Sequence, residues 1–333
     1  MERPVTLAIA GDVMLGRMVN DTIAMRGFAY PWGDVRTARD RADLFLINLE
    51  CALTSSAGRW YDGREKAFYF RAEPSVVETL KRGRVDVVSL ANNHAGDYGH
   101  EGLLETVRVL DEAGIAHAGA GATRQAAAAP AYLTSNGARV GIVAFSDHPQ
   151  EWAATDQTPG INYTSVERPL ADVRDAIAEA RGHADVVVFS IHWGPNMRAR
   201  PSKNFQGFAR QVIDAGADVF WGHSAHVVQG VELWHNGVIF YDTGDFIDDY
   251  AVDGGLRNDL SALFFLRVAP TGVKDVELLA VQIDNMQVNL ARGAAREWFV
   301  RRLAMLCAEM GTEQSAGTSP DTLTIRPVAR LGR

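Results

Sequence analysis

The chain has little cysteine, no long apolar run and no basic excess, and each shortage closes off a class of protein. Only Cys51 and Cys307 occur among 333 residues, and neither belongs to a C-x-x-C pair. A zinc knuckle and a disulfide framework are therefore excluded as organising devices, and two reduced thiols in a cytoplasmic protein are expected. No apolar stretch approaches the ~18 residues of a membrane helix, so no membrane insertion is expected. The run Val5 to Ala10 is too short for a signal peptide and is followed at once by Gly11-Asp12. The net charge of -8 argues against a nucleic-acid surface, which needs a basic stripe. No internal repeat is visible.

What remains is ordinary globular composition, 47% hydrophobic and 22% charged, with ample material for a core. Short apolar runs read as buried strands: Val5 to Ala10, Leu44 to Leu49, Val85 to Leu90, Val140 to Phe145, Val186 to Ile191, Val219 to Trp221 and Val238 to Tyr241. Helical patterns separate several of them, including His100 to Ala113 and Phe205 to Ala215. Leu260 to Val268 and Val276 to Ile283 flank a Pro270-Thr271-Gly272 turn and read as a hairpin. Arg292 to Met310 reads as a helix packed on the sheet. Thr54 to Phe70 reads as a long loop, a length that is often functional. No linker precedes Gly311. One domain over residues 1–311 is expected, with residues 312–333 as a peripheral tail.

The informative feature is how the strands end. Asp12, Glu50, Asn93, His94, His192, His223 and His226 all follow or close predicted strands, and in α/β sheets ligand sites form outside such ends. Oxygen and imidazole donors suit a divalent Mn, Zn or Fe ion rather than a thiolate site. A carboxylate shared between two ions would suit a two-metal centre. Each residue also has a plainer reading. Asp12 suits a turn, Asn92 and Asn93 a helix cap, His192 a satisfied core histidine. The group Asp242, Asp245, Asp248 and Asp249 reads equally as a solvated acidic face, with Asp245 the one placed to do chemistry. Asp147-His148 reads first as loop polarity.

Six motifs in order carry a resemblance. Gly11-Asp12-Val13-Met14-Leu15-Gly16-Arg17, Asn48-Leu49-Glu50, Phe70-Arg71-Ala72-x-Pro74, Leu90-Ala91-Asn92-Asn93-His94, His192-Trp193-Gly194-Pro195 and Gly222-His223-x-x-His226 resemble the poly-γ-glutamate capsule synthesis (CapA, PgsA) family. That family is similar to the calcineurin-like metallophosphoesterases. The resemblance implies an α/β (α+β) four-layer αββα sandwich with a metal centre of one or two ions at the strand ends. It makes Asp12, Glu50, Asn93, His192, His223 and His226 metal ligands, with Glu50 in the bridging place, and His94 the proton donor. Met14 stands where a histidine is usual, so one ion should have fewer ligands. Asp245 stands where an Asn is common, and Ser224-Ala225 where His-Pro is common.

The function expected is a divalent-metal-dependent hydrolase of a phosphoester or an amide/peptide bond. Metal-assisted peptide epimerisation, with His94 and Asp245 as the acid–base pair, is the first alternative. A non-catalytic accessory of poly-γ-glutamate capsule synthesis is the second. Arg17, Lys66 and Arg71 are the candidates for an anionic small-molecule, peptide or polyglutamate substrate.

Overall fold

The computed structural model describes residues 4–61, 63, 66–168 and 170–327. Two β-sheets face each other. The larger has ten strands and runs, from one edge, Thr312–Ala316, Thr322–Pro327, Gly272–Asp284, Leu260–Ala269, Val5–Val13, Leu44–Leu49, Val87–Ser89 and Ala116–Ala118, with Asp245–Ile247 and Gln287–Leu290 joined at its side. The smaller has six and runs Val231–Trp234, Gly237–Phe240, Val219–His223, Val186–His192, Ala138–Ser146 and Ala131–Ser135. The strands that carry the candidate residues pair in parallel within each sheet.

Period-two side-chain alternation builds the layers. Ile9, Val140, Val186 and Val188 point into the space between the sheets, beside Phe264, Trp221 and Phe240. Ala8, Ala10, Phe45 and Ile47 point outward and pack under the helices Arg17–Arg26, Val77–Arg82 and Gly99–Ala113 through Val19, Leu80, Leu103 and Leu110. Val143, Phe145, Val187 and Phe189 face the helices Ala171–His183 and Lys203–Asp214 through Val173, Ile177, Phe208 and Val212. The result is the four-layer αββα sandwich. The helix Gly293–Glu309 closes the middle layer with Phe299, Leu303 and Cys307. Each such fully buried side chain is worth about 1.5–3 kcal/mol of burial.

The expected hairpin is present, with Leu260–Ala269 paired against Gly272–Asp284. The peripheral tail is not. Residues 312–327 form two strands of the large sheet: Thr322–Pro327 pairs with Gly272–Asp284, and Ile325 and Thr312 are buried. Of the polar stretch Ser315 to Pro320, Ser315 and Ala316 end the first strand and the rest lies in the turn of this edge hairpin. Its period-two pattern is too short and too polar to show in the sequence, and pairing with an existing strand supplies the missing stability. The rest of the expected tail, 328–333, lies outside the described residues.

Candidate functional site

Register brings the strand-end residues together. In the large sheet Asp12 stands opposite both Asn48 and Asp245. In the small sheet His192 stands opposite His223. Both groups lie at the same end of the sandwich, so one cleft receives them. Gly11 permits the close approach: a Cβ there would sit 1.7 Å from the Gly244 carbonyl oxygen, while the Asp12 amide donates to that same oxygen at 2.9 Å.

Two sets of donor atoms result, each within 4.8 Å of one another: Asp12 with His192 and His223, and Asp12 with Glu50 and His226. Asp12 is the carboxylate common to both. Its Oδ1 lies 3.8 Å from His223 Nδ1 and its Oδ2 lies 3.6 Å from His226 Nδ1. Glu50, which the resemblance puts in the bridging place, reaches His192 Nε2 at 3.7 Å and His94 Nε2 at 3.9 Å. Met14 carries no donor into either set, for its thioether accepts the Gly16 amide at 3.1 Å.

The neighbours hold these groups by hydrogen bonds. Asn48 donates to Asp12 Oδ1 at 2.7 Å, and Asn92 donates to Asn48 Oδ1 and to the Leu49 carbonyl. His223 Nε2 meets Ser190 Oγ at 2.9 Å, and its Nδ1 meets His192 Nδ1 at 2.9 Å. His226 Nδ1 meets Asp245 Oδ1 at 2.8 Å. The loop carrying His226 is strained, with Ser224 at φ 113° and His226 at φ 62°. Side chains rarely adopt that left-handed region, and such strain persists only where surroundings enforce it. Asp242 does so, accepting from the amides of Ala225 and Gly244 at 2.7 Å each.

Burial dominates the electrostatics. It pushes the Asp12 and Glu50 carboxyls well above the usual range; His226 opposes the push at Asp12, and Asp12 adds to it at Glu50. Asp245 is raised by burial and by Asp248 and Asp242. His192 and His223 are lowered by burial, with His223 and His148 adding at the former and His148 at the latter. Burial opposes a charged His226, but Glu50, Asp12, Asp242 and Asp248 prevail and raise it.

A divalent ion fits this donor set. Asp12 Oδ2, Glu50 Oε1, Asn93 Oδ1, His192 Nε2 and Asp245 Oδ2 are buried without a hydrogen-bond partner. Unpaired buried polar atoms are costly and rare, and five in one cleft need a common partner. All are oxygen or imidazole nitrogen, donors that suit a divalent metal ion.

His94 stands beside this set. Its Nδ1 meets Asp97 Oδ2 at 2.7 Å, and its ring stacks on Phe70 with centroids 3.8 Å apart. Burial lowers its pKa to about 4 against the pull of Asp97. Lys66, delivered by the long loop, donates to Asp97 and to the Asn93 carbonyl, the latter at 2.5 Å. Arg17 lies at the rim, over the Phe68 and Phe70 rings and paired with Asp249 at 3.3 Å. Arg71 is turned elsewhere: its guanidinium holds the Ser56 carbonyl and Glu73 and lies over Tyr98.

The acidic group near the C-terminal end of the matched motifs is not a solvated face. Asp242, Asp245 and Asp248 are all buried. Asn48, Ser190 and Asp242 support the site and were not singled out as site residues from the sequence. Their signal was position alone, beside a candidate on the same or the neighbouring strand. Asp147 accepts the Gly194 amide, and the His148 ring lies 5.4 Å from that of His192.

A family model described as "Bacterial capsule synthesis protein PGA_cap" matches residues 6–250. The "Capsule biosynthesis protein CapA" of Bacillus anthracis is 31% identical over 280 residues, covering 83% of this chain and 67% of that protein. A "Probable polyglutamine synthesis accessory protein" of Mycobacterium tuberculosis is 30% identical over 374 residues, covering 98% of this chain and 97% of its own. Among solved structures, the 5'-nucleotidase from Candida albicans SC5314 aligns with 94% of this chain and 58% of that one, at 11% identity and a TM-score of 0.43. The family match over residues 6–250 and the two curated relatives at 31% and 30% identity show that the chain belongs to the bacterial capsule synthesis protein (PGA_cap) family.

Proposed function

We propose that the protein is a divalent-metal-dependent hydrolase acting on a phosphoester or an amide/peptide bond. The observation that carries this reading is the convergence of five unpartnered buried donor atoms, on Asp12, Glu50, Asn93, His192 and Asp245, in one strand-end cleft. Those residues, with His223 and His226, would hold one or two ions. A bound ion supplies Lewis acidity toward a water and toward the oxygen of the bond to be cleaved.

The chain's own groups do the rest. With Nδ1–H donated to Asp97, neutral His94 presents the lone pair of Nε2 toward Glu50. His94 Nε2 takes the proton of the attacking water and returns it to the leaving group, and Asp97 stabilises the imidazolium between those steps. Phe70 covers the ring and keeps bulk water from it. Arg17, at the rim, and Lys66, beside His94, are placed for an anionic group of the substrate.

The test is incubation of the metal-loaded protein with a nitrophenyl phosphoester and with poly-γ-glutamate, followed by mass analysis. Fragments support hydrolysis. A product of unchanged mass and altered chirality replaces it with epimerisation. A second reading, polymer binding without turnover, is favoured by the word "accessory" in the name of the mycobacterial relative. It predicts that binding of poly-γ-glutamate survives His94→Gln and that no product forms.

A further inference from the structure

We infer that a cavity beside the centre is a subsite for an organic ammonium group on the substrate, an inference that rests on the metal-site reading above. The cavity measures about 190 Å³ and shares the wall formed by Tyr250. Tyr250 joins the two spaces: its hydroxyl lies 3.4 Å from Glu50 Oε2, and its ring lies 5.2 Å from that of His226. Drug-sized ligand sites begin at roughly 300 Å³, so this space takes one group rather than a whole ligand.

Four carboxylates line it: Asp248, Asp249, Asp259 and Asp284. Two are compensated. Arg257 grips Asp259 with bonds of 2.6 and 2.7 Å, and Arg17 pairs with Asp249. Asp248 and Asp284 have no ion pair among the described residues. Asp248 is only 6% exposed; its Oδ1 accepts the Tyr250 amide at 2.7 Å, and its Oδ2 has no partner. Asp249 Oδ1 is likewise buried and unpartnered. A buried carboxylate oxygen without a partner calls for a donor, and an excess of negative charge calls for a cation.

The cation called for is organic. Among the described residues the only groups of three ligating side chains lie in the main centre, so the cavity offers no divalent ion a set of ligands. Its remaining walls are mostly apolar, from Met18, Met286, Ile283 and Val252 with Tyr250, and Asn258 and Asn285 are the two neutral polar residues among them. Carboxylates together with thioether, aliphatic and aromatic surface match an ammonium on an alkyl stem. A side-chain ammonium and a chain-terminal amine share this chemistry. The substrate so described carries a positive group next to the reacting bond and is not a uniform polyanion.

Calorimetry on the metal-loaded protein tests this with three probes. Nα-acetyl-lysine amide offers a side-chain ammonium, norleucine amide a terminal amine, and Nα,Nε-diacetyl-lysine amide neither. Binding of the first or the second, with the third at least roughly tenfold weaker, is expected and tells the two sources apart. Asp248→Asn should weaken the ammonium probe by roughly ten- to a hundredfold with metal content unchanged. Val252→Trp, at a position 55% exposed, should fill the cavity and weaken the probe without disturbing the fold. Equal binding of all three probes, no binding of either amine, or full affinity in Val252→Trp overturns the inference. So does an equivalent of manganese that wild type holds and Asp248→Asn loses. Elemental analysis of the wild type reports separately on the metal reading, since an absence of metal there removes the proposed hydrolase and leaves the probe comparison to stand by itself.

Discussion

Asp97 fixes the direction of His94. Its Oδ2 meets Nδ1 of the imidazole at 2.7 Å and accepts the Phe70 amide at 2.6 Å, so the carboxylate is itself immobile. Nε2 is left as the free end of the ring, 3.9 Å from Glu50 Oε1. A histidine held in this way has one nitrogen for orientation and one for chemistry.

The first prediction follows from that division. His94→Gln should leave metal content nearly unchanged and lower turnover roughly 10²–10⁴-fold. Metal analysis, melting temperature and turnover measured on one preparation separate this from a structural role. Wild-type turnover in a folded, metal-loaded variant removes His94 from the mechanism.

His192→Ala combined with His223→Ala should abolish retention of one divalent ion. The two rings meet Nδ1 to Nδ1 at 2.9 Å and share a donor set with Asp12. Elemental analysis reads the outcome directly, and undiminished metal in the double variant sinks the assignment.

Asp242→Ala should weaken metal binding by roughly 10–100-fold without removing any ligand. Asp242 holds the Ala225 and Gly244 amides, and hence the left-handed backbone that presents His226. Titration of metal-free protein with manganese measures the change. An unaltered affinity would mean that the loop keeps its shape unaided.

The pH dependence of the metal-free protein should carry the mark of His94. Burial lowers its folded pKa to about 4, against about 6.5 in an unfolded chain. Between those values the unfolded chain binds a proton that the folded protein does not, so this contribution to stability rises with pH and is lost as pH falls toward 4. Asp242 and Asp248, pushed up to about 6 by burial, contribute with the opposite sign. Comparing wild type with His94→Gln cancels them. The variant's stability should rise less steeply from pH 4 to 6.5, by up to about 1.4 kcal/mol per pH unit. Parallel denaturant curves across that range contradict the prediction.

Ile325→Ala should cost about 2–5 kcal/mol. Ile325 is 3% exposed and packs between the sheets, on the strand that lies between the edge strand Thr312–Ala316 and Gly272–Asp284. Urea unfolding measures it, and a loss below about 0.5 kcal/mol would restore the description of these residues as a tail.

The sequence by itself determined the elements and the kind of residue that follows them. Short apolar runs make buried strands wherever they occur, and the polar residues at their ends, Asp12, Glu50 and Asn92 among them, stand out in the chain as breaks in that apolar pattern. The motif order was legible because it is a property of the chain alone. Which strands become neighbours is not. Alternation assigns a face but names no partner, and a shift of one residue sends every side chain to the other face. Strand pairing within each sheet set Asp12 opposite Asn48 and Asp245, and His192 opposite His223, and only packing of the two sheets brought those groups to one cleft. It made Asp12 the carboxylate common to both donor sets, drew Lys66 in and turned Arg71 away. It also took Asp242 and Asp248 out of water, and it gave the weakly patterned residues 312–327 a strand to pair with, because a backbone edge already ordered by the core supplies hydrogen bonds that their own sequence does not encode.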